Sequence, residues 1–194
     1  MKKYELTNET KVIYGRTLYR IKALISFGNV SKGDLGGFVE KESNLSHDGN
    51  AWVCGDARVY GNARVYGNAE VYGDARVYGN AWVYDDARVC GNARVYGDAQ
   101  VYGNARVCGD AWVCGDADYI FIKGLGSEYR VTTAFKNKSE GVSVKCGCFL
   151  GTLQEFEDKV KETHGESKFA KEYLALVELI KIHFKTEETE NEKN

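Results

Sequence analysis

A six-residue unit, G-[ND]-A-x-V-[YC], recurs without interruption from Gly49 to Asp116 of this 194-residue chain. Alanine holds every sixth position from Ala51 to Ala117, twelve times, and valine follows two residues later from Val53 to Val113, eleven times. Glycine keeps its slot except at Asp85, and the residue before each alanine is always Asn or Asp. In extended backbone successive side chains point to opposite faces, so Ala and Val share one face while x and Tyr or Cys share the other. The G-[ND] pair is corner chemistry: Gly accepts positive φ without a Cβ clash, and Asn or Asp tolerates it best among the rest. Each unit is therefore a very short strand plus a turn. Three units close a triangular coil of eighteen residues, and twelve units stack four coils about 4.8 Å apart, a prism on the order of 19 Å tall. Valine fills the interior. The chain is thus expected to be mainly β, with an N-terminal β cap over 1–44, the prism over 45–117, an α+β extension over 118–185 and a polar tail over 186–194.

The eighteen-residue period fixes which side chains stack. Side one carries Cys54, Tyr72, Cys90 and Cys108 beside Trp52, Glu70, Arg88 and Arg106. Side two carries Tyr60, Tyr78, Tyr96 and Cys114 beside Arg58, Arg76, Arg94 and Trp112. Side three carries Tyr66, Tyr84 and Tyr102 beside Arg64, Trp82, Gln100 and Asp118. On side two, Arg58, Arg76 and Arg94 with Tyr60, Tyr78 and Tyr96 make an aromatic and cationic wall, one candidate surface for a partner or a nucleotide-like anion. The bland reading is that Asp56, Asp74, Asp98 and the tyrosine faces satisfy the guanidinium groups locally.

Lys and Arg total 26 against 28 Asp and Glu, a formal charge of −2 that argues against a sequence-independent nucleic-acid binder. The first ten residues lack the apolar core of a signal peptide. The most apolar stretch, Leu174–Ile182, is broken by Glu178 and Lys181, so no membrane span is expected. Six cysteines without an export signal then read as reduced thiols in a cytoplasm.

At the N-terminus, Lys11–Tyr14 and Thr17–Ile25 read as a hairpin about Gly15. GDLGGF at 33–38 reads as a glycine-rich turn, because no helix with Lys-Ser/Thr follows to make a phosphate loop. This segment is expected to plug the open end of the prism, whose strand edges would otherwise be unpaired. Beyond Ala117 the repeat stops, and Lys, absent from 42 to 122, returns. Asp118–Lys123, Glu128–Lys136 and Gly141–Phe149 alternate as strands. Thr152-Leu-Gln-Glu155 is a capping box opening a helix to about His164; Gly165 ends it, and Ser167–Phe184 forms a second helix.

The block 45–117 resembles the hexapeptide-repeat left-handed parallel β-helix, in which an aliphatic residue is followed four positions on by a small one, as in Val53…Ala57 and Val59…Ala63. One departure is that Tyr or Cys follows the aliphatic residue, where that family usually has a small or acidic one. GDLGGFVEKESNLS, GLGSEYRVTTAF, CGCF and KETHG…KEY are similar to segments of phage and prophage proteins, several of which join them to hexapeptide arrays. The first resemblance implies side-to-side homotrimers and, as one activity class, acyl transfer from a coenzyme A donor. The second implies a phage-type protein in the cytoplasm of a bacterial host cell, one that captures a host protein or a small anionic ligand and so counteracts host defence.

Acyl transfer needs a histidine base, and the coils contain none; His47, just before the first full unit, is the weak candidate. The three converging histidines of the related zinc enzymes have no counterpart in the coils either. Cys146 and Cys148, two apart on a strand, with His164 make a weak thiol or zinc set whose bland reading is small packing residues. No cofactor is called for. The segment Gly124–Arg130 offers backbone amides, the Ser127 hydroxyl and the Arg130 guanidinium, with Thr132 on the same face by alternation and Thr133 beside it. Such a set suits a phosphate. The bland reading pairs Arg130 with Glu128 or Glu140. The favoured expectation is a non-catalytic binding protein, with acyl transfer and a trimeric assembly element as the alternatives.

Overall fold

The computed structural model describes residues 1–139 and 141–186, so the Glu140 partner and all but the first residue of the polar tail lie outside the described residues. In chain order the elements are β1 (Tyr4–Ile13), β2 (Arg16–Ala23) and β3 (Leu35–Val39), then eleven two-residue strands, β4 to β14, running from Trp52–Val53 to Trp112–Val113. β15 (Tyr119–Leu125), β16 (Arg130–Lys136), β17 (Val142–Cys146) and β18 (Phe149–Thr152) follow, with α1 (Leu153–His164) and α2 (Lys168–Phe184) last.

The short strands stack in parallel at eighteen residues: Arg58 lies on Arg76, Arg76 on Arg94, and Arg94 on Trp112. They form a three-sided parallel β-solenoid with four rungs on two sides and three on the third. The repeat valines from Val53 to Val113 and the repeat alanines from Ala51 to Ala111 are all buried. Removing a valine side chain from water stabilises by roughly 1.5–3 kcal/mol, so the single apolar column is the main source of cohesion. At the corners the repeat glycines from Gly49 to Gly109 have φ between +63° and +74°. A Cβ on Gly79 would stand 2.9 Å from the amide nitrogen of Gly97 on the next coil, so the corners stack backbone on backbone. Asp85, the one exception, holds φ +57° and accepts the Gly103 amide at 3.2 Å through its carboxylate.

Two features of the coils go beyond the sequence expectation. The Asn and Asp residues before each alanine form side-chain ladders along the corners, Asn50 to Asn68 to Asp86 and Asn62 to Asn80 to Asp98, with amide-to-oxygen distances of 2.9–3.1 Å. And Cys90 and Cys108, neighbours on side one with Cα atoms 4.6 Å apart, are joined by a disulfide. The expectation of six reduced thiols fails for this pair, because parallel in-register rungs hold equivalent Cα atoms within the span a disulfide needs.

Both ends are closed. Lys3 enters the open N-terminal end, buried, and its ammonium donates to the carbonyls of Ala51 at 2.8 Å and Gly49 at 3.3 Å. Burial, only partly offset by Asp48, pushes its pKa from the ordinary 10.5 down to about 8. Tyr4 donates its hydroxyl to Glu42 and Leu45 carbonyls, and Asn44 donates to Ala63 and Gly61 carbonyls. Of GDLGGF, Gly33 sits in a turn at φ +96°, but Leu35–Phe38 belong to β3, the rung in front of Arg58–Val59. Gly36 and Gly37 are needed for that approach, since a Cβ on Gly36 would lie 2.5 Å from Ile21 and one on Gly37 2.6 Å from the Ala57 carbonyl. The β1–β2 hairpin, longer than expected, pairs with β3 and extends the side-two sheet.

At the other end, β15 to β18 form an antiparallel sheet in sequential order, with β18 a fourth strand that the alternation pattern missed. Tyr119 and Phe135 complete the solenoid core, and the Thr133 hydroxyl accepts the Arg106 amide at 3.0 Å. Asp118 accepts the Cys114 and Gly115 amides and pairs with Lys136 at 2.6 Å. Burial opposes its charge, yet the bonds from Cys114 and Lys136 hold its carboxyl below the ordinary value. The opposite sheet face packs on the helices through Val144, Phe156, Val160, Tyr173, Val177 and Ile180. Thr152 and Glu155 make the capping box at the start of α1, and Ser167 caps α2. Among the described residues no helix is long and apolar enough to cross a membrane.

Val83→Asp, which puts a carboxylate among the interior valines without a partner, is expected to cost several kcal/mol and unfold the solenoid. Arg76→Ala on the wall is expected to cost well under half as much, read by thermal melting; equal losses would mean the inside–outside register is inverted. A second outcome follows from Lys3. Below pH 8 it is charged in both folded and unfolded chains and its burial cost is fully present. Between about 8 and 10.5 the folded chain has released a proton that the unfolded chain still holds, so stability rises with pH. The melting temperature of the wild type relative to Lys3→Met is therefore expected to rise from pH 7 to pH 10. A constant difference would show that Lys3 is not buried as described.

Candidate functional site

The turns β15–β16 and β17–β18 and the two helices enclose a cavity of about 440 Å³. Ser127, Glu128 and Arg130 reach it from the first turn, Cys146, Cys148 and Phe149 from the second. Phe156, Lys159, Val160, Thr163 and His164 line it from α1 at spacings of three and four, which place them on one helical face. Tyr173 comes from α2. The floor is aromatic: Phe149 lies 5.4 Å from Phe156, Phe156 meets Tyr173 edge-on at 5.7 Å, and His164 stacks on Tyr173 at 5.7 Å. Arg130, Lys159 and His164 stand at its rim with one lining carboxylate, Glu128, and the Lys159 ammonium also pairs with Glu162 outside the cavity at 2.7 Å.

A polar chain runs beneath this floor. The Thr132 hydroxyl donates to the Cys146 sulfur at 3.2 Å, which lies 3.9 Å from the Tyr173 hydroxyl; that hydroxyl donates to the Leu125 carbonyl at 3.3 Å. Burial pushes the Tyr173 phenol up to about 12, so it stays a neutral donor. Gly126 is held against Tyr173 with no room for a side chain, and its amide donates to the Glu172 carboxylate at 3.0 Å. The loop is therefore anchored to α2, and the expected free amide at Gly126 is already engaged. Arg130 packs over Gly147 in the second turn. It forms no ion pair with Glu128, nor with any other group among the described residues.

The structure thus brings together residues that the sequence offered as two separate sets: Ser127 and Arg130 from the anion set, and Cys146, Cys148 and His164 from the thiol set. It separates the two threonines. Thr132 faces the helices beside Cys146, whereas Thr133 faces the solenoid and is spent on capping Arg106. Among the described residues no group of three or more His, Cys, Asp or Glu could hold a metal ion, so Cys146, Cys148 and His164 share a cavity without forming a metal site. Sequence reasoning missed Phe149, Phe156, Lys159 and Tyr173 as lining. Only the helical spacing of Phe156, Lys159/Val160 and Thr163/His164 could have pointed to them.

His47 serves as a cap. Its Nδ1 accepts the Lys3 amide at 3.2 Å and its ring stacks on Tyr4 at 4.4 Å. The lone pair a catalytic base would use is already taken. The side-two wall is partly covered, since Tyr60 is buried under Leu18 and Phe38. Its rings stack face to face, Tyr60 on Tyr78 at 5.0 Å and Tyr78 on Tyr96 at 5.1 Å, and so present edges to solvent. Of the three wall arginines, Arg94 lies over Trp112, whereas Arg58 keeps its Nε buried without a hydrogen-bond partner and the expected Asp56 is taken by Lys11; on the other sides Arg64 lies over Trp82 and Arg88 pairs with Glu70.

The sequence model of the YdcK beta solenoid repeat matches residues 51–67, 57–71, 69–85, 87–101 and 99–115, which is the coil region and not its ends. The comparison with curated proteins returned no match. Repeat match and parallel stacking agree, and the chain is a β-solenoid repeat protein.

Proposed function

We propose that this is a non-catalytic binding protein whose C-terminal cavity captures a small anionic ligand, with the solenoid as a rigid support. The observation that carries the reading is the composition of one cavity: Arg130, without an ion pair among the described residues, beside His164 and the Glu162-paired Lys159 around an aromatic floor, with a single lining carboxylate. An arginine fork with further cationic and hydroxyl donors suits a phosphate or carboxylate, and the Phe149–Phe156–Tyr173 floor suits an apolar or planar group joined to it. A nucleotide-like anion has both parts. Acyl transfer has less support, because the coils lack histidine and His47 has no free lone pair. The phage-like segments extend the reading: the captured anion belongs to a bacterial host cell, where its removal blunts defence. Left-handed coiling of the hexapeptide class and side-to-side trimers fit the same picture and rest on the repeat resemblance.

Titration calorimetry with adenosine monophosphate and with inorganic phosphate tests the cavity. Binding by the wild type and a loss of about tenfold or more in Arg130→Ala, with an unchanged melting temperature, is the expected result. Unchanged affinity and unchanged stability in Arg130→Ala would remove this cavity from the site.

A further inference from the structure

A second position is built for a ring. On side three, Tyr66, Tyr84 and Tyr102 stack in a column, Tyr66 on Tyr84 at 4.9 Å with planes 1° apart and Tyr84 on Tyr102 at 5.4 Å. The column is closed at Tyr102, where Phe121 meets it edge-on at 6.0 Å. At Tyr66 it is open. Leu45 bridges Val65, so the residue on the rung in front of Tyr66 is Ser46, whose side chain is too small to cover the ring. The equivalent column on side two has no such gap, since Leu18 and Phe38 cover Tyr60.

The uncovered ring belongs to a groove of about 790 Å³ bounded by Ser46, His47, Asp48, Arg64, Tyr66 and Trp82. Trp82 meets Tyr66 edge-on at 6.3 Å and is 39% exposed, one of the large hydrophobic side chains most open to solvent in the coils. Asp48 and Arg64 form no ion pair among the described residues, and Glu42 in the same groove is taken by Lys2 at 2.7 Å. The groove therefore combines a vacant stacking position, an indole wall with the Arg64 guanidinium lying over it, and the Asp48 carboxylate, neither charge being held in an ion pair among the described residues. Its charge is balanced, unlike that of the C-terminal cavity.

We propose that this groove binds a nucleobase-type planar heterocycle carried by a neutral nucleoside, which stacks on Tyr66 as the next ring of the column. Stacking on an aromatic side chain holds any base through its π-face. Asp48 then accepts from exocyclic or ring N–H groups, and Arg64 donates to carbonyl or ring-nitrogen acceptors, as these side chains do at base edges. The site is independent of the anion cavity at the other end of the solenoid.

The test uses the full chain with guanosine, adenosine, cytidine and uridine, followed by calorimetry and by tryptophan fluorescence. At least one nucleoside is expected to bind and to quench the exposed indole. Tyr66→Leu is expected to weaken that binding about tenfold or more. Ser46→Tyr fills the vacancy with a fourth ring, so it is expected to abolish binding without lowering the melting temperature, and it carries the test if Tyr66→Leu fails to fold. Arg130→Ala is expected to leave nucleoside binding unchanged, which separates this site from the anion cavity. No binding by any of the four, equal binding by folded Ser46→Tyr, or loss of binding in Arg130→Ala would overturn the proposal.

Discussion

Everything in this molecule depends on equivalent residues of successive coils lying directly on one another at eighteen residues. Backbone hydrogen bonds between rungs, such as Arg76 amide to Ala93 carbonyl at 2.9 Å and Tyr78 amide to Val95 carbonyl at 3.0 Å, run along every side. A shift of one residue would turn each valine to solvent and each tyrosine inward, so the register is strongly specified. The same stacking that buries valine also brings like side chains together outside. Tyrosines then stack, Asn and Asp residues form ladders, and two cysteines meet closely enough to bond. What lies on the outside is a consequence of what must lie inside.

A stack of coils has two open ends, and the remaining sequence is largely devoted to closing them. Unpaired carbonyls at the N-terminal end are satisfied by the Lys3 ammonium, the Tyr4 hydroxyl and the Asn44 amide. At the C-terminal end Thr133, Tyr119 and the Asp116 carboxylate do the equivalent for Arg106 and Gln100. Burying an ammonium is costly unless it is well bonded, and the depressed pKa of Lys3 records that cost. The two candidate sites lie where capping segments meet the solenoid or extend from it, and there the repeat no longer dictates every side chain.

The repeat made the coils legible from sequence, residue by residue: columns, corners and inward valines all follow from a period of six. The capping box at Thr152 and Glu155 and the stop at Gly165 were legible for the same reason, being local signals. What was not legible depended on contacts distant in sequence. GDLGGF looked like a turn throughout because Gly36 and Gly37 answer to Ile21, Trp52 and Ala57, contacts distant in sequence, and only Gly33 to a local φ. The candidate cavity was half visible, with Arg130, Ser127, Cys146, Cys148 and His164 each noted but assigned to different chemistry. Their convergence required the packing of α1 and α2 on the sheet. Thr133 was counted with the anion set as a neighbouring hydroxyl, but alternation, which puts Thr132 on the face of Arg130, turns Thr133 to the solenoid.

The in-register rung is tested most directly by its covalent trace, the Cys90–Cys108 disulfide. Protein purified without reductant is denatured, alkylated and mapped by peptide mass spectrometry. One linked pair is expected, Cys90 with Cys108, together with alkylated Cys54, Cys114, Cys146 and Cys148. Six alkylated thiols, or a linked pair other than these two eighteen-residue neighbours, would contradict it.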